Sequence, residues 1–452
     1  MKKNKYEIDM CNGTIMDKLI SFSIPLMLSG ILQLMFNAVD IVVVGRFSGS
    51  QALAAVGSTT ALINVFTNLF IGISLGANVL AARYYAAGKT KEMSETVHTA
   101  IALALVSGVA MAVIGVVFAR GALEIMGTPD DVIAKSTLYM RIYFCGMPFF
   151  MMYNYGAAIL RAVGDTKRPL IFLIVSGVIN AILNLFLVIG FHLDVAGVGI
   201  ATVISQLVSC ILVLRCLHHT ESSYQLHLAK LRIKSVYLKQ IFEVGVPAGI
   251  QSTVINISNA MLQSSVNSFG SIAMAGYTAS NNIFGFLYVS VNSFTQACMS
   301  FTSQNYGVGK YKRMDKVLID CLILSSGIAL VMGGGAYLFG TEILQIYTGD
   351  PEVIRCGMEI LSITTVPYFL CGIMDLFPGA LRGMGCSAVP MILSVIGTVG
   401  TRIVWIFGIF PQHRSLYVLF ISYPGSWIIT IILQVICYLI MRKKVHSRAA
   451  AV

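Results

Sequence analysis

The chain has 452 residues, of which 56% are hydrophobic and only 11% are charged, with 31 Lys and Arg against 20 Asp and Glu. Soluble globular proteins carry about a quarter charged residues. This composition therefore excludes a soluble enzyme, a disordered chain and a fibrous protein, and leaves a polytopic integral membrane protein.

Long stretches without Asp, Glu, Lys or Arg predict the membrane spans in chain order. A helix needs about 20 apolar residues to cross the hydrocarbon, and the alternating pattern of membrane strands is absent. The stretch 244–309 is long enough for two crossings, with a tight hairpin near Gly270 and Ser271. With an interrupted segment at 353–377, we predict an all-α fold of twelve transmembrane helices. The uninterrupted stretches are 19–39, 47–82, 96–119, 142–160, 169–193, 195–214, 244–309, 322–341, 383–401 and 415–441.

The basic residues lie in alternate loops, which predicts the orientation. Most of them share one side of the membrane if both termini are cytoplasmic, as the positive-inside rule requires. A face that contacts anionic membrane lipid explains the basic total without a nucleic-acid partner. We therefore predict a multi-pass membrane protein with both termini cytoplasmic. The main basic segments are 83–91, 161–168, 230–239, 310–316 and 442–444.

The two halves of the chain repeat at an offset of about 221 residues. Gly49-Ser50 aligns with Gly270-Ser271, and the segment 85–89 aligns with 306–310. Because each half has an even number of helices, the copies have the same orientation, related by a pseudo-two-fold axis along the membrane normal. We predict two six-helix lobes that support alternating access, although a duplication also occurs in some channels. The predicted boundaries are 1–216 for the first lobe, 217–239 for a cytoplasmic linker and 240–452 for the second lobe.

Several motifs occur in a characteristic order along nearly the whole chain. They are FNAVDIVVVGRF at 36–47, LAAVGSTT at 53–60, LRAVGDTKRP at 160–169, NAILNLFLV at 180–188 and LRGMG at 381–385. In these motifs the chain resembles the multidrug and toxic compound extrusion family. The resemblance implies a twelve-helix, two-lobe exporter that exchanges cationic or amphipathic compounds for Na⁺ or H⁺. It also implies that the protein is not an enzyme and needs no cofactor beyond the coupling ion.

The acidic residue Asp40 stands about 21 residues into the first predicted span, toward its outer half. A carboxylate at membrane depth costs at least ~2.5–3.5 kcal/mol, so such a residue is usually functional. Gln33 and Asn37 share its helix face and extend a polar stripe. The alternative is that Asp40 serves helix packing or faces outside solvent.

The resemblance suggests partners for Asp40. Family members of the archaeal type bind a cation or proton with a first-helix Asp, an Asn and an Asp four residues apart, and a Thr. Asp40, Asn180 and Thr202 match this pattern, whereas Asn184 stands where the family has Asp. An amide oxygen still ligates Na⁺, so we predict a coupling site, and a Na⁺ site, at these four residues. The alternative for Asn180 and Asn184 is hydrogen bonding between helices.

A second polar stripe follows the seventh predicted helix and continues on the eighth. Neutral polar groups at helical spacing suit either a wet cavity wall or hydrogen bonds between helices. Two charged residues lie farther along, Asp375 and Arg402, either as an ion pair or as substrate contacts. We predict a substrate cavity that comprises Gln33, Asn37, Asn256, Asn259, Gln263, Asn292, Gln296, Asp375 and Arg402.

The predicted function is an exporter of small molecules, monomeric in the lipid bilayer and driven by Na⁺ or H⁺. A lipid-linked precursor flippase is an alternative, but it should carry several basic residues in its interior. A dedicated metabolite exporter would have the same sequence features. An intramembrane enzyme would need clustered His, Asp or Glu. The segment Gly72-Ile-Ser-Leu-Gly76 fits a hydrolase pattern, but mid-helix glycines favour close helix packing.

Overall fold

The computed structural model describes residues 5–450, which form helices and no strands. Residues 1–4 and 451–452, which belong to the termini predicted to be cytoplasmic, lie outside the described part. The α-helices are α1 Met16–Phe47, α2 Ser50–Ala86, α3 Thr90–Ile125, α4 Asp130–Cys145, α5 Met147–Ala162, α6 Lys167–Leu185, α7 Asp194–His218, α8 Ser235–Asn267, α9 Ser271–Gly307, α10 Tyr311–Leu338, α11 Gly340–Gln345, α12 Pro351–Thr364, α13 Tyr368–Gly383, α14 Ala388–Ser394, α15 Thr401–Val404, α16 Leu416–Phe420 and α17 Ser422–Ala450.

These helices form twelve successive segments over residues 16–450, six in each half, which confirms the predicted all-α fold. Among the described helices, eight are long and apolar enough to cross a membrane, and nine if the bent pair α12 and α13 counts as one. The segments that fall short are α4 with α5, α8 and α9. The last two carry the predicted polar stripe, which lowers their hydropathy.

The fourth segment of each half is broken next to a proline. Helix α4 ends at Cys145, and Pro148 lies in the first turn of α5. In the second half Pro367 precedes α13, and the two pieces of this segment meet at 49°. A proline lacks the amide hydrogen that continues a helix and disfavours helical geometry in the residue before it.

The turn between α8 and α9 lies where the hairpin was predicted. Gly270, with φ of 92°, precedes α9, and its counterpart Gly49, with φ of 86°, precedes α2. This left-handed geometry is costly for residues with a Cβ. The helix that contains Arg402 extends beyond the predicted end at residue 401, since helical turns continue to Ile409.

The chain divides into two compact units. Unit 1 comprises Leu28–Gly249 with the segment that ends at Ile8, and unit 2 comprises Asp9–Met27 with the segment that begins at Ile250. Both boundaries inside a helix lie just after a proline, Pro25 in α1 and Pro247 in α8. Each unit has its own apolar core.

Within unit 1, the segment after α7 packs against the start of α3. Glu95 accepts hydrogen bonds from Arg232 at 2.9 Å and from Lys234 at 2.6 Å. The backbone N–H of His227 donates to Nε2 of His98 at 3.1 Å. The segment that was predicted as a linker is therefore held to unit 1 by side-chain contacts.

Candidate functional site

The structure brings Asp40 together with both asparagines of α6. The Asn184 Nδ2 atom donates a hydrogen bond to Oδ1 of Asp40, and it also donates to Oδ1 of Asn180 at 3.2 Å. Asn180 and Asn184 are buried and Asp40 is half-buried. We call this cluster of Asp40, Asn180 and Asn184 the acidic site.

A close approach of α1 and α6 positions the acidic site. A Cβ atom at Gly177 would overlap the ring of Phe36, so a larger residue there would displace this ring. Phe36 lies one helical turn before Asp40, and Gly177 lies two turns before Asn184. The contact between Phe36 and Gly177 therefore aligns the carboxylate with the amide farther along both helices.

Two tyrosines of α4 belong to the surroundings of the carboxylate, and the sequence did not identify them. The phenols of Tyr139 and Tyr143 both lie within electrostatic range of Asp40. In sequence, tyrosines of an apolar helix resemble ordinary core residues. The sequence pattern of α4 therefore does not indicate that Tyr139 and Tyr143 lie near Asp40.

The acidic site offers oxygen atoms to a cation. The Oδ1 atom of Asn184 is buried and has no hydrogen-bond partner in residues 5–450. The Asp40 carboxylate and Oδ1 of Asn180 lie on the other side of the same amide. Hard cations prefer carboxylate and amide oxygens, so these residue types suit a Na⁺ ion, but in this structure the Asn184 nitrogen and not its oxygen faces Asp40. A proton on Asp40 is the alternative way to neutralise this charge.

The other residues predicted near Asp40 have different partners or none in the described part of the chain. The Thr202 hydroxyl donates to the backbone oxygen of Val198 at 3.0 Å, within its own helix. Gln33 and Asn37 are exposed on α1. The hydrogen bonds of the described residues therefore join Asp40 to Asn184, and Thr202 bonds elsewhere.

In unit 2, Arg402 contacts neutral groups instead of Asp375. Its Nη1 atom donates to Oδ1 of Asn259 at 2.8 Å, and its guanidinium carbon lies 4.3 Å from the ring centroid of Tyr423. The ion pairs among residues 5–450 include none between Asp375 and Arg402, so the pairing alternative was wrong. Arg382, on the same helix as Asp375, is the cation that acts on this carboxylate. Residues distant in sequence decide such pairing, and a single sequence does not show it.

Some residues of the polar stripe of α8 are exposed, and others form side-chain hydrogen bonds. Asn256 is exposed, and the Gln263 Nε2 atom donates to Oδ1 of Asn267 at 3.1 Å. On α9, Asn292 and Gln296 are half-buried. Asn259 is the member of the stripe that bonds to a charged side chain.

These features define a class of protein before any comparison is made. The chain is a multi-pass, all-α membrane protein built from two similar halves, with a charged group inside each unit. The MatE family model matches it twice, at residues 25–186 and 247–407. The chain therefore belongs to the MatE family, whose members are transporters and not enzymes.

The family assignment agrees with individual relatives. The chain is 30% identical to "Probable multidrug resistance protein YoeA" of Bacillus subtilis (strain 168), with 91% of each chain covered. It is 22% identical to "Multidrug export protein MepA" of Staphylococcus aureus (strain NCTC 8325 / PS 47), with 84% of each covered.

Solved structures show the same fold at low sequence identity. A crystal structure of MATE in the straight conformation superposes with a TM-score of 0.89 at 20% identity. A multidrug resistance MATE family transporter in an outward-facing conformation superposes with a TM-score of 0.89 at 19% identity. Both comparisons cover 100% of each chain. The twelve-helix fold is therefore that of the MATE transporters.

Proposed function

We propose that the protein exports cationic or amphipathic small molecules in exchange for Na⁺ or H⁺ by alternating access. The observation that carries this proposal is the Asp40 carboxylate, held by the Asn184 amide inside unit 1. A carboxylate withdrawn from water is stabilised by a bound cation or by a proton. Competition between the coupling ion and a cationic substrate for this charge links the two fluxes. The relatives named as multidrug export proteins support this substrate class.

The proposal includes the setting of the transporter. It places the protein in the bacterial inner (plasma) membrane with both termini cytoplasmic, as a monomer in contact with anionic lipid. The lobes are 1–216 and 240–452, joined by a linker at 217–239. The candidate substrate contacts are Gln33, Asn37, Asn256, Asn259, Gln263, Asn292, Gln296, Asp375 and Arg402. Thr202 remains a candidate ligand of the coupling ion.

The experiment measures efflux of a fluorescent cation from proteoliposomes under an imposed Na⁺ or H⁺ gradient. Asp40→Asn removes the charge and keeps the shape, so we expect gradient-driven efflux to fall to the level of empty liposomes. The gradient that drives the wild type, tested separately at fixed pH and at fixed Na⁺, identifies the ion.

A matched control makes the same chemical change on the same helix. Asp17 lies in the first turn of α1 and is exposed, so Asp17→Asn should retain gradient-driven efflux. Wild-type efflux in Asp40→Asn would exclude Asp40 as the coupling residue. Absence of any gradient-driven efflux in the wild type would contradict the exporter itself.

A flippase for lipid-linked precursors is the second candidate. Such a protein needs several cationic groups to hold a pyrophosphate. The acidic site, which presents a carboxylate instead of cationic groups, favours the exporter. Transfer of a pyrophosphate-linked lipid between leaflets, without any efflux of the dye, would favour the flippase.

A further inference from the structure

Arg402 is a charged residue in the interior of unit 2. Only 3% of its surface is exposed, and it lies on α15 between two π-helical turns, Val395–Gly400 and Trp405–Ile409. Such turns often occur at functional sites. A cation inside the membrane is costly and usually has an anionic partner.

The structure gives this guanidinium only neutral partners. Beyond Asn259 and Tyr423, the titratable side chains near it are the uncharged phenols of Tyr277 and Tyr368 and the thiol of Cys371. Within residues 5–450, Arg402 takes part in no ion pair with a carboxylate. Its positive charge therefore has no carboxylate in direct contact among the described residues of unit 2.

One edge of the guanidinium has no hydrogen-bond partner among the described residues. The Nη1 atom is used by Asn259, whereas the Nε atom is buried and has no hydrogen-bond partner among the described residues. The Nε–Nη2 edge presents two parallel N–H groups, which match the two oxygens of a carboxylate. A buried donor without a partner is unfavourable, so a ligand that satisfies it gains affinity.

The aromatic neighbours suit an organic ligand rather than a small inorganic ion. Tyr423 packs edge-on against Trp427, with their ring centroids 5.8 Å apart, and Trp427 packs in the same way against Tyr368 at 5.6 Å. Aromatic groups beside a cation favour amphipathic molecules with an apolar body.

We propose that Arg402 binds a carboxylate of the transported molecule, so that zwitterionic amphipathic compounds are preferred to purely cationic ones. This inference rests on the proposed export function and names the substrate class. Asn259 holds the guanidinium in place through Nη1, and the Nε–Nη2 edge receives the carboxylate.

The test uses two dyes that differ in one group. Rhodamine 110 carries a free carboxylate, and rhodamine 123 is its methyl ester. Fluorescence anisotropy with the purified full-length protein should show that rhodamine 110 binds about tenfold more tightly, which corresponds to about 1.4 kcal/mol. Equal affinities, or tighter binding of the ester, would overturn the inference without any variant.

Variants then assign the preference to Arg402. Arg402→Gln should abolish the difference between the dyes while rhodamine 123 still binds. Arg402→Lys retains the charge but not the bidentate edge, so the ratio of affinities should fall toward one even if the glutamine variant does not fold. Arg414→Gln is the control, because Arg414 is exposed and its loss should leave the ratio unchanged. An unchanged ratio in Arg402→Lys would overturn the assignment.

Efflux measurements separate this inference from the function on which it rests. If gradient-driven efflux is seen for rhodamine 123 but not for rhodamine 110, the carboxylate site is wrong and the exporter stands. If neither dye is exported by the wild type, the proposed function fails for both classes.

Discussion

Three charged side chains in the two units are each met by a side-chain amide. In unit 1 the amide nitrogen of Asn184 donates to Asp40. In unit 2 the amide oxygens of Asn259 and Gln251 accept from Arg402 and Arg382, the latter at 2.7 Å. An amide carries both donors and acceptors, so it can serve a charge of either sign. A neutral partner also leaves the charge free to bind an ion or a substrate.

Tyr143→Phe tests the neighbour of Asp40 that the sequence did not identify. The change removes one hydroxyl and keeps the ring, so it removes an interaction with the carboxylate while packing is preserved. We expect the coupling ion to bind about two- to tenfold more weakly, because the hydroxyl dipole no longer contributes to the surroundings of the carboxylate. The measurement is the ion concentration that gives half-maximal efflux.

The control for this prediction is Tyr347→Phe, because Tyr347 is exposed in the loop after α11. It should keep the wild-type ion dependence. If Tyr143→Phe behaves as the control does, Tyr143 takes no part in ion binding and serves packing alone.

The sequence identified Asp40 and both asparagines because their polarity is unusual inside an apolar span. Spacing of four residues then placed Asn180 and Asn184 on one face of α6. The same reasoning failed for Arg402, where the partner is Asn259, far away in the sequence. Polarity can be recognised one residue at a time, whereas pairing depends on how helices pack.

At the scale of helices, glycines fix the contact between α2 and α8 in unit 1. A Cβ atom at Gly72 would overlap the backbone of Gly249, and one at Gly76 would overlap the backbone oxygen of Ile241. This confirms the interpretation of Gly72 and Gly76 as a packing face rather than part of a hydrolase motif. Such small residues allow membrane helices to approach closely.

Gly76→Ala should therefore destabilise unit 1. The added methyl group forces α2 and α8 apart, and overpacking of this kind typically costs about 1–3 kcal/mol. The midpoint of thermal unfolding, followed by size-exclusion chromatography of heated samples, should fall. Gly57→Ala is the matched control on the same helix, because a Cβ there meets nothing within 4 Å. A midpoint for Gly76→Ala equal to that of Gly57→Ala would show that the helices tolerate the separation.

The π-helical turns at Phe186–Gly190, Val395–Gly400 and Trp405–Ile409 were not predictable from the sequence. Apart from Thr398, the three turns consist of apolar residues and glycines, so composition does not distinguish them from ordinary helix. The first turn follows Asn184, and the other two enclose Arg402. An extra residue in a turn changes the direction of later side chains, and tertiary contacts decide where this occurs.

At the scale of the whole chain, the duplication extends to backbone geometry. Three pairs of glycines with positive φ occur at the offset seen in the sequence: Gly49 with Gly270, Gly88 with Gly309, and Gly164 with Gly385. The family model also matches each half once. Repeated turns and an even number of helices per half predict that equivalent loops lie on the same side of the membrane.

Cysteine labelling tests this parallel arrangement. Lys91 and Lys312 are equivalent exposed positions in basic segments, and Thr128 and Gly349 are equivalent positions in the loops that follow the third segment of each half. In a background without the ten native cysteines, each position is replaced by Cys in turn. A membrane-impermeant maleimide should label Thr128→Cys and Gly349→Cys in intact cells. It should label Lys91→Cys and Lys312→Cys only after the membrane is opened, because basic loops stay in the cytoplasm.

Each outcome of this labelling distinguishes one arrangement from another. Opposite labelling within an equivalent pair would indicate an inverted repeat and contradict the parallel duplication. Labelling of both lysine positions in intact cells, with protection of the other two, would keep the parallel repeat but reverse the orientation. The unsubstituted background is the control and should remain unlabelled. Since the orientation decides on which side a gradient drives release, this result also fixes the direction in which transport must be assayed.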